Sequence, residues 1–83
     1  MRRYSKLGKY LKNKRERRGL TQKRVSDSFG FTTSQFISNL ELAKSPPPPG
    51  VMKKLVKLYH LRLDEVLKII LLEEERFWRS QLK

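Results

Sequence analysis

Apolar residues recur every three or four positions along most of the chain, and no segment alternates strictly between apolar and polar residues. The first spacing is typical of helices that bury one face, whereas strict alternation would indicate strands. This spacing begins at Leu7, and Gly19 stands where helices commonly stop, so we predict a first helix over residues 5–18. The hydroxyl of Thr21 can cap a short second helix, which we expect to end at Gly30.

A third helix is predicted after this glycine, followed by a loop rich in proline. Thr32 or Thr33 can cap the helix, which we expect to run to about Leu42. The loop that follows reads AKSPPPPG, with prolines and glycine at 45–50. Consecutive prolines cannot continue a helix and favour an extended conformation, so the loop separates the third helix from the next one.

Two further helices complete the predicted fold. Apolar residues return at helical spacing from Val51, and a fifth helix begins near Leu63 and meets no helix-breaking residue before residue 82. No internal repeat is present in the sequence. We therefore predict one all-α domain over residues 1–83, built as a five-helix bundle with an extended last helix at 63–82.

Positive charge is concentrated at the N-terminal end of the chain. Residues 1–24 hold eleven Lys and Arg residues against Glu16 alone, a net charge of +10, out of +12 for all 83 residues. Such a patch attracts a polyanion and gains affinity by releasing its counterions, and nucleic acid is the commonest partner of this kind. The alternative is a surface that only keeps a small protein soluble. Within the patch, residues 1–5 form a basic arm that either follows DNA or remains a solvated tail.

The residue types exclude several classes of site. The chain has no cysteine and a single histidine, His60, so neither a disulfide nor a zinc site of cysteine and histidine ligands is expected. No nucleophile beside a base and no glycine-rich phosphate loop is visible, so we expect no enzymatic activity, no cofactor and no small-molecule ligand. The longest apolar run, IILL at 69–72, is too short to span a membrane, and we expect a soluble cytoplasmic protein.

The third predicted helix carries an uncharged polar row opposite its apolar face. At ~100° per residue, the buried arc contains Phe36, Ile37 and Leu40. The opposite side carries Ser34, Gln35, Ser38 and Asn39. An ordinary exposed face in so basic a protein would carry Lys, Arg or Glu. Hydroxyls and amides suit base edges, since Gln and Asn can bond adenine through two hydrogen bonds, and a polar face without a partner is the alternative.

Residues 21–41 join two short helices through a tight turn that contains glycine, which is the arrangement of a helix-turn-helix. Gly30 can supply a backbone with positive φ, and Phe31 is expected to enter the core beside it. Ser26 is small where the two helices must pass closely. Because the second helix of such a unit enters the major groove, we predict that the partner is double-stranded DNA.

The segment LTQKRVSDSFGFTTSQFISNLE resembles the phage repressor and Cro class of helix-turn-helix domains, also called XRE, and the resemblance covers about residues 6–72. The run LGKYLKNKRERRGLTQ and the later LRLDEVL support it, as does the spacing of Val25, Ser26 and Gly30. The resemblance implies a five-helix fold of the lambda-repressor-like type. It also implies a repressor-like regulator of transcription that binds operator DNA, often as a dimer.

The resemblance assigns roles to individual residues. It implies that Gln22 touches a phosphate and braces the recognition helix, and that Arg15 and Glu41 form an ion pair between the first and third helices. Both members of this pair lie at the edges of buried faces, so each needs a partner once desolvated. Lys23 and Arg24 lie beside Gln22, where we expect phosphate contacts. The residues that the resemblance places at base edges or the adjacent backbone are Thr33, Ser34, Gln35, Ser38 and Asn39.

The sequence departs from the family pattern at two places. The distance from Gly30 to Ile37 is one residue longer than usual. Either the turn is stretched or the third helix begins differently, and the base-facing positions then rotate by one residue. Leu42 and Ala43 replace the polar residue and the glycine that often follow the glutamate, which leaves Lys44 for the phosphate contact.

The last predicted helix is apolar around most of its circumference between Val66 and Leu72, as is normal for a helix that is covered from two sides. The core is one cover, and a second copy of the chain is the candidate for the other. A monomer whose last turns fold back onto the first or fourth helix is the alternative. Glu73 to Glu75 are expected to be solvated, with Glu75 paired to Arg79. The candidate residues of the homodimer interface are Ile69, Leu72, Phe77 and Trp78.

We therefore expect a sequence-specific regulator of transcription that reads the major groove with its third helix. An antitoxin or adaptor whose last helix binds a different protein is the competing hypothesis. RNA binding is less well supported, because the sequence offers neither aromatic residues on a sheet nor pockets for unpaired bases.

Overall fold

The computed structural model describes residues 3–83, which form five helices and no strand. The helices are, in chain order, α1 (Ser5–Arg17), α2 (Gln22–Ser28), α3 (Gln35–Glu41), α4 (Pro49–Leu58) and α5 (Leu63–Gln81). The predicted all-α, five-helix architecture is confirmed. None of these helices, within residues 3–83, combines the length and the apolar character that a bilayer crossing requires.

Single residues explain three of the helix boundaries. Gly19 has a φ of 69°, which lets the chain leave α1 without steric conflict. The side-chain oxygen of Thr21 accepts a hydrogen bond of 3.1 Å from the backbone N–H of Arg24, as predicted for the cap of α2. Pro49 occupies the first turn of α4, where its missing N–H removes no intrahelical bond, so α4 begins before the predicted Val51.

One apolar core is shared by all five helices. Its most deeply buried aliphatic side chains, each at most 2% exposed, are Leu7, Leu11, Val25, Ile37 and Leu55. Burial of each large aliphatic side chain stabilises the fold by roughly 1.5 to 3 kcal/mol. The inner face of α3 packs against this core, so the residues on its other face remain at the surface.

The turn before α3 differs from the prediction. Ser34 is the N-terminal cap residue of α3 and makes no side-chain bond there, so the expectation of a cap at Thr32 or Thr33 is wrong by one or two residues. The Thr33 hydroxyl instead accepts a hydrogen bond of 3.3 Å from the backbone N–H of Gln35. A bend at residues 32–34 absorbs the additional residue of the turn, while Gly30 adopts the expected positive φ of 76°.

Phe31 was predicted to enter the core, and it does not. The stretched turn places its ring between two other half-buried rings, with centroid distances of 5.3 Å to Phe29 and 5.0 Å to Phe36. The ammonium group of Lys54 lies 4.4 Å from the centroid of Phe29 and also donates a hydrogen bond to the carbonyl of Ser28. These contacts form an aromatic cluster at the surface. It joins the end of α2, the turn, the start of α3 and α4.

The acidic run on α5 is not solvated as a whole, which corrects the prediction. Glu73 is only 6% exposed, and its carboxylate accepts hydrogen bonds from the backbone N–H groups of Lys6 at 2.6 Å and Leu7 at 3.0 Å. The N-terminal cap residue of α1 provides no side-chain bond, so α5 satisfies these amides instead. Glu75 does lie at the surface and pairs with Arg79 at 2.9 Å, as expected.

The described part of the N-terminal arm is anchored to α5 and is not a solvated tail. Arg3 Nη2 donates a hydrogen bond of 2.6 Å to Glu74 Oε2, and its guanidinium lies 4.4 Å from the ring centroid of Phe77. The hydroxyl of Tyr4 donates to the same carboxylate. These hydrogen bonds, first from Tyr4 and then from Arg3, hold the pKa of Glu74 below its ordinary value. Arg2, the other basic residue of the predicted arm, lies outside the described residues.

Candidate nucleic-acid interface

The polar row of α3 remains accessible. Gln35 is exposed, and Ser38 and Asn39 are half-buried along the same side of the helix. On the opposite side, Ile37 and Leu40 are at most 3% exposed and hold α3 against the core. The inner side of the helix is fixed against the core, and its accessible side presents amide and hydroxyl groups.

Two of the predicted base-facing residues precede the helix. Thr33 is exposed and Ser34 is half-buried, and both lie in the bend before Gln35, the first residue of α3. These two residues consequently stand at the N-terminal end of α3, while the other three candidates lie along its side. This arrangement differs from the expectation that Ser34 shares one helical face with Gln35, Ser38 and Asn39.

A hydrogen bond fixes the amide of Gln35. Its Nε2 donates to Asn39 Oδ1 at 2.8 Å, one turn further along α3. One N–H and the carbonyl oxygen of the Gln35 amide are left to face outward. This donor and acceptor match the N7 and N6 groups that adenine displays in the major groove.

A buried ion pair braces α3 from behind. Glu41 Oε2 accepts a hydrogen bond of 2.7 Å from Arg15 Nε, and Glu41 Oε1 accepts bonds of 3.1 Å from Arg15 Nη2 and 2.9 Å from Gln22 Nε2. Arg15 also donates to the carbonyl of Leu20 at 2.7 Å. Both charged residues are 7% exposed, and the hydrogen bonds that Arg15 donates to Glu41 raise the pKa of Arg15 above its ordinary value. The network joins α1, α2 and α3, and it includes the brace expected of Gln22.

Gly8 determines how closely α1 approaches the end of α3. A Cβ atom at this position would lie 2.5 Å from the carbonyl oxygen of Glu41 and 2.9 Å from that of Leu40. Both neighbours are backbone atoms, which cannot move aside as a flexible side chain can. Only glycine fits this crossing, and no pattern in the sequence indicated the contact.

The residues predicted to contact phosphates lie at the start of α2 and just beyond the end of α3. Lys23 and Arg24 are exposed in the first turn of α2, beside the half-buried Gln22. The ammonium group of Lys23 pairs with Asp27 at 2.7 Å, so contact with a phosphate requires it to leave this partner. Lys44 is exposed just beyond the C-terminal end of α3.

The sequence reasoning missed two lysines beside the end of α3. Lys9 and Lys12 are exposed on α1 and line a shallow depression of about 270 Å³, together with Ser5, Leu42 and Ala43. The predicted arm ended at residue 5 and included neither lysine. The spacing of residues 5, 9 and 12 along one helical face is the signal that places them together.

The four candidate residues of a dimer interface lie in different surroundings. Leu72 and Trp78 are about half exposed on α5. Ile69 is half-buried against the core, and Phe77 is half-buried beneath the guanidinium of Arg3. The first two candidates are therefore accessible to a partner, and the other two contact their own chain.

Comparison with known proteins adds an independent finding. The helix-turn-helix family matches residues 11–66, which include α2, α3 and α4 completely. The HTH-type transcriptional regulator PuuR of Escherichia coli (strain K12) is 40% identical over 58 residues, as is the protein of the same name in Shigella flexneri. The matched region covers 70% of this chain and 31% of either relative, and no solved structure matches significantly. On the strength of this match and the five helices around it, the chain belongs to the XRE, or phage repressor and Cro type, family of helix-turn-helix domains.

Proposed function

We propose that this chain is a transcription regulator that binds double-stranded DNA, reads its sequence in the major groove with α3, and acts as a repressor. The observation that carries the proposal is the accessible row of Gln35, Ser38 and Asn39 on a helix whose inner side is held by the core. Base readout requires side chains held in one orientation. The Gln35 to Asn39 hydrogen bond and the Arg15 to Glu41 pair behind the helix support this requirement.

Basic residues at the start of α2 and just beyond α3 support the same proposal. In the proposed complex, Gln22, Lys23 and Arg24 contact one stretch of phosphates at the start of α2, and Lys44 contacts another beyond α3. Phosphate contacts of this kind fix the register of a protein on DNA without reading sequence. Thr33 and Ser34 contact the bases or backbone next to the N-terminal end of α3.

We further propose that the chain binds DNA as a homodimer joined through α5. Leu71 and Trp78 lie seven residues apart, on one side of α5, and both are more than half exposed. Leu72 is also exposed, about 100° around the helix from Leu71. A two-fold pair would set two copies of α3 about one DNA turn apart, ~34 Å, and would favour a palindromic site.

Selection of bound duplexes from a random pool, at two salt concentrations, tests the proposal. We expect an enriched palindromic motif whose affinity falls steeply with salt. Against that motif, Gln35→Ala should relax the preference at one base position by about 1 to 3 kcal/mol, because it removes the outward amide. Lys23→Ala should weaken binding to all duplexes alike and reduce the salt slope by about one.

Lys68→Ala is the matched control, since Lys68 is an exposed lysine on α5, away from α2 and α3. It should leave both the preference and the salt slope unchanged. The proposal fails if no motif is enriched, or if Gln35→Ala weakens every duplex equally. If Lys68→Ala loses as much DNA affinity as Lys23→Ala, the affinity comes from nonspecific attraction by the positive charge of the chain.

A further inference from the structure

An apolar groove lies between α4 and α5, and we refer to it as the α4–α5 groove. Its volume is about 550 Å³. Pro47 of the loop before α4, Pro49 at the start of α4 and Tyr4 line the groove. The apolar side chains along its two walls are Met52, Val56, Leu63, Val66, Leu67 and Ile70. Among the described residues, none of those that line the groove belongs to α2 or α3, so the groove is separate from the proposed DNA surface.

The groove is open to solvent and is not a packing defect inside the core. Leu63 and Leu67 on its rim are 61% and 48% exposed, and Leu71, one further turn along α5, is 67% exposed. These three leucines recur every four residues and form a row that extends past the groove. Monomeric soluble proteins rarely expose so continuous an apolar surface without a partner.

Two lysines give the groove its charge. Lys53 and Lys57 line it, are exposed, and lie one helical turn apart on α4. Neither ammonium group has a hydrogen-bond or ion-pair partner among residues 3–83. The neighbouring Lys54, by contrast, is held by Ser28 and Phe29 on the other side of α4. The only charged groups on the wall of the groove are therefore cationic and unpaired within the described part of the chain.

The shape of the surface favours a helix as the occupant. Two packed helices leave a trough between them, and a third helix fills such a trough by placing residues i, i+3, i+4 and i+7 in it. A helix lying along the groove would cover Leu63 and Leu67. Leu71 does not line the groove and remains available to the proposed dimer interface. Acidic side chains one turn apart on its flank would meet Lys53 and Lys57.

A second copy of the chain is a poorer occupant on grounds of charge. The exposed charged residues of α5 are Lys68, Arg76 and Arg79 against Asp64 and Glu75. The other three carboxylates of the helix, Glu65, Glu73 and Glu74, are already paired with groups of their own chain. The net charge of the whole chain is +12. A second α5 in the groove would therefore bring further cations to two lysines that already lack partners.

We propose that the α4–α5 groove binds an acidic amphipathic helix of another protein. The groove and the DNA surface use different residues, so the two partners are bound at the same time. The proposal does not depend on DNA binding, and a regulator of this kind would link the protein that carries the acidic helix to a chosen DNA site.

A peptide binding experiment tests the proposal on the full chain. The probe is a fluorescein-labelled helical peptide of about 15 residues, ~22 Å long, with leucines along one side and glutamates on both flanks. Its counterpart has every glutamate replaced by lysine. Fluorescence anisotropy at physiological ionic strength should show saturable binding of the glutamate peptide and at least ~10-fold weaker binding of the lysine peptide.

Two double variants with the same change of net charge separate the groove from general attraction. Lys53→Glu with Lys57→Glu should weaken the glutamate peptide at least ~10-fold, because like charges then face each other. Lys68→Glu with Arg76→Glu, which changes exposed residues outside the groove, should weaken it less than ~3-fold. Circular dichroism melting curves establish that both variants are folded.

Four outcomes would overturn the proposal. These are no saturable binding up to ~100 µM peptide, equal binding of the lysine peptide, and equal losses in the two double variants. The fourth is loss of self-association in Lys53→Glu with Lys57→Glu, which would make a second copy of the chain the occupant. A loss of DNA affinity alone, with peptide binding intact, would contradict only the proposed function.

Discussion

Glu41 is the residue on which the position of α3 depends most directly. Its carboxylate accepts three hydrogen bonds, two from Arg15 and one from Gln22, and it is almost completely removed from water. A buried ion pair of this kind contributes little compared with a well-packed apolar pair, because both ions lose their hydration. Removal of one member is nevertheless expensive, since the other charge is left buried without a partner.

We expect Glu41→Ala to lower the free energy of unfolding by about 3 to 5 kcal/mol, because Arg15 then loses its buried counter-ion. For a domain of this size, the melting temperature would fall by more than ~12 °C. Thermal unfolding followed by circular dichroism measures the change. Glu75→Ala is the control, since Glu75 belongs to an exposed pair with Arg79, and its effect should stay within about 1 kcal/mol.

Glu73 is not a suitable comparison, although the sequence placed it on a solvated surface. Its buried carboxylate bonds two backbone amides of α1, so its loss would also destabilise the fold. Equal melting temperatures of Glu41→Ala and Glu75→Ala would mean that the buried pair makes no net contribution to stability.

At the scale of the elements, the contact between α1 and α3 shows where sequence reasoning succeeds and where it stops. The helical spacing of Leu7 and Leu11 predicted α1, and the apolar arc of Ile37 and Leu40 predicted the inner side of α3. The crossing itself depends on Gly8, whose missing Cβ permits contact between backbones distant in sequence. The spacing of apolar residues does not predict such a contact, because the contact depends on how the two helices pack in the tertiary structure.

Gly8→Ala should separate α1 from the end of α3 and lower the free energy of unfolding by roughly 1 to 3 kcal/mol. DNA affinity should fall as well, since the side chains on α3 would move with the helix. Gly50→Ala is the matched control, because no atom lies within 4 Å of the Cβ that it would add in the first turn of α4.

Gly50→Ala should be neutral or slightly stabilising, by about 0.4 to 1 kcal/mol, through the reduced freedom of the unfolded chain. Chemical denaturation of both variants provides the comparison. If Gly8→Ala is as stable as Gly50→Ala, the close crossing of α1 and α3 does not constrain the fold.

The same limit explains the errors in the candidate site. The additional residue in the turn was visible in the spacing from Gly30 to Ile37, but the sequence could not decide whether the turn or the helix absorbs it. The structure places it in a bend, so Thr33 and Ser34 precede α3. The residues along the side of α3 were predicted correctly as accessible, because the helical periodicity alone determines which side an apolar arc leaves free.

At the scale of the whole molecule, α5 gives the domain an elongated shape. The domain measures 42 × 25 × 20 Å, and the residues from Trp78 to the end of the helix are all exposed. Glu73 accepts hydrogen bonds from backbone amides of α1, and Glu74 accepts them from Arg3 and Tyr4 just before that helix. The predicted alternative to dimerisation, in which the last turns fold back onto α1 or α4, is not what the structure shows, since residues 78–81 are exposed. Leu71, Leu72 and Trp78 of α5 have no cover among residues 3–83, which is the basis for the proposed dimer.

We expect sedimentation equilibrium at micromolar concentrations to show a species of twice 9.9 kDa, because pairing through α5 would cover the exposed apolar side chains. Since Trp78 is the only tryptophan, its fluorescence emission should shift to shorter wavelength as the dimer forms. Leu71→Glu with Trp78→Glu should yield a monomer, and the control Lys53→Glu with Lys57→Glu should remain a dimer. A mass of 9.9 kDa that persists on concentration would exclude a stable dimer.

The capping of α1 by Glu73 has a consequence for the order of events during protein synthesis. The backbone amides of Lys6 and Leu7 bond a carboxylate that lies 67 and 66 residues further along the chain and is therefore synthesised later. At ~5 to 20 residues per second, a translating ribosome needs roughly 3 to 13 s to add that many residues. During this interval the first turn of α1 lacks its capping carboxylate, and a chain truncated before Glu73 would leave the amides of Lys6 and Leu7 without this partner.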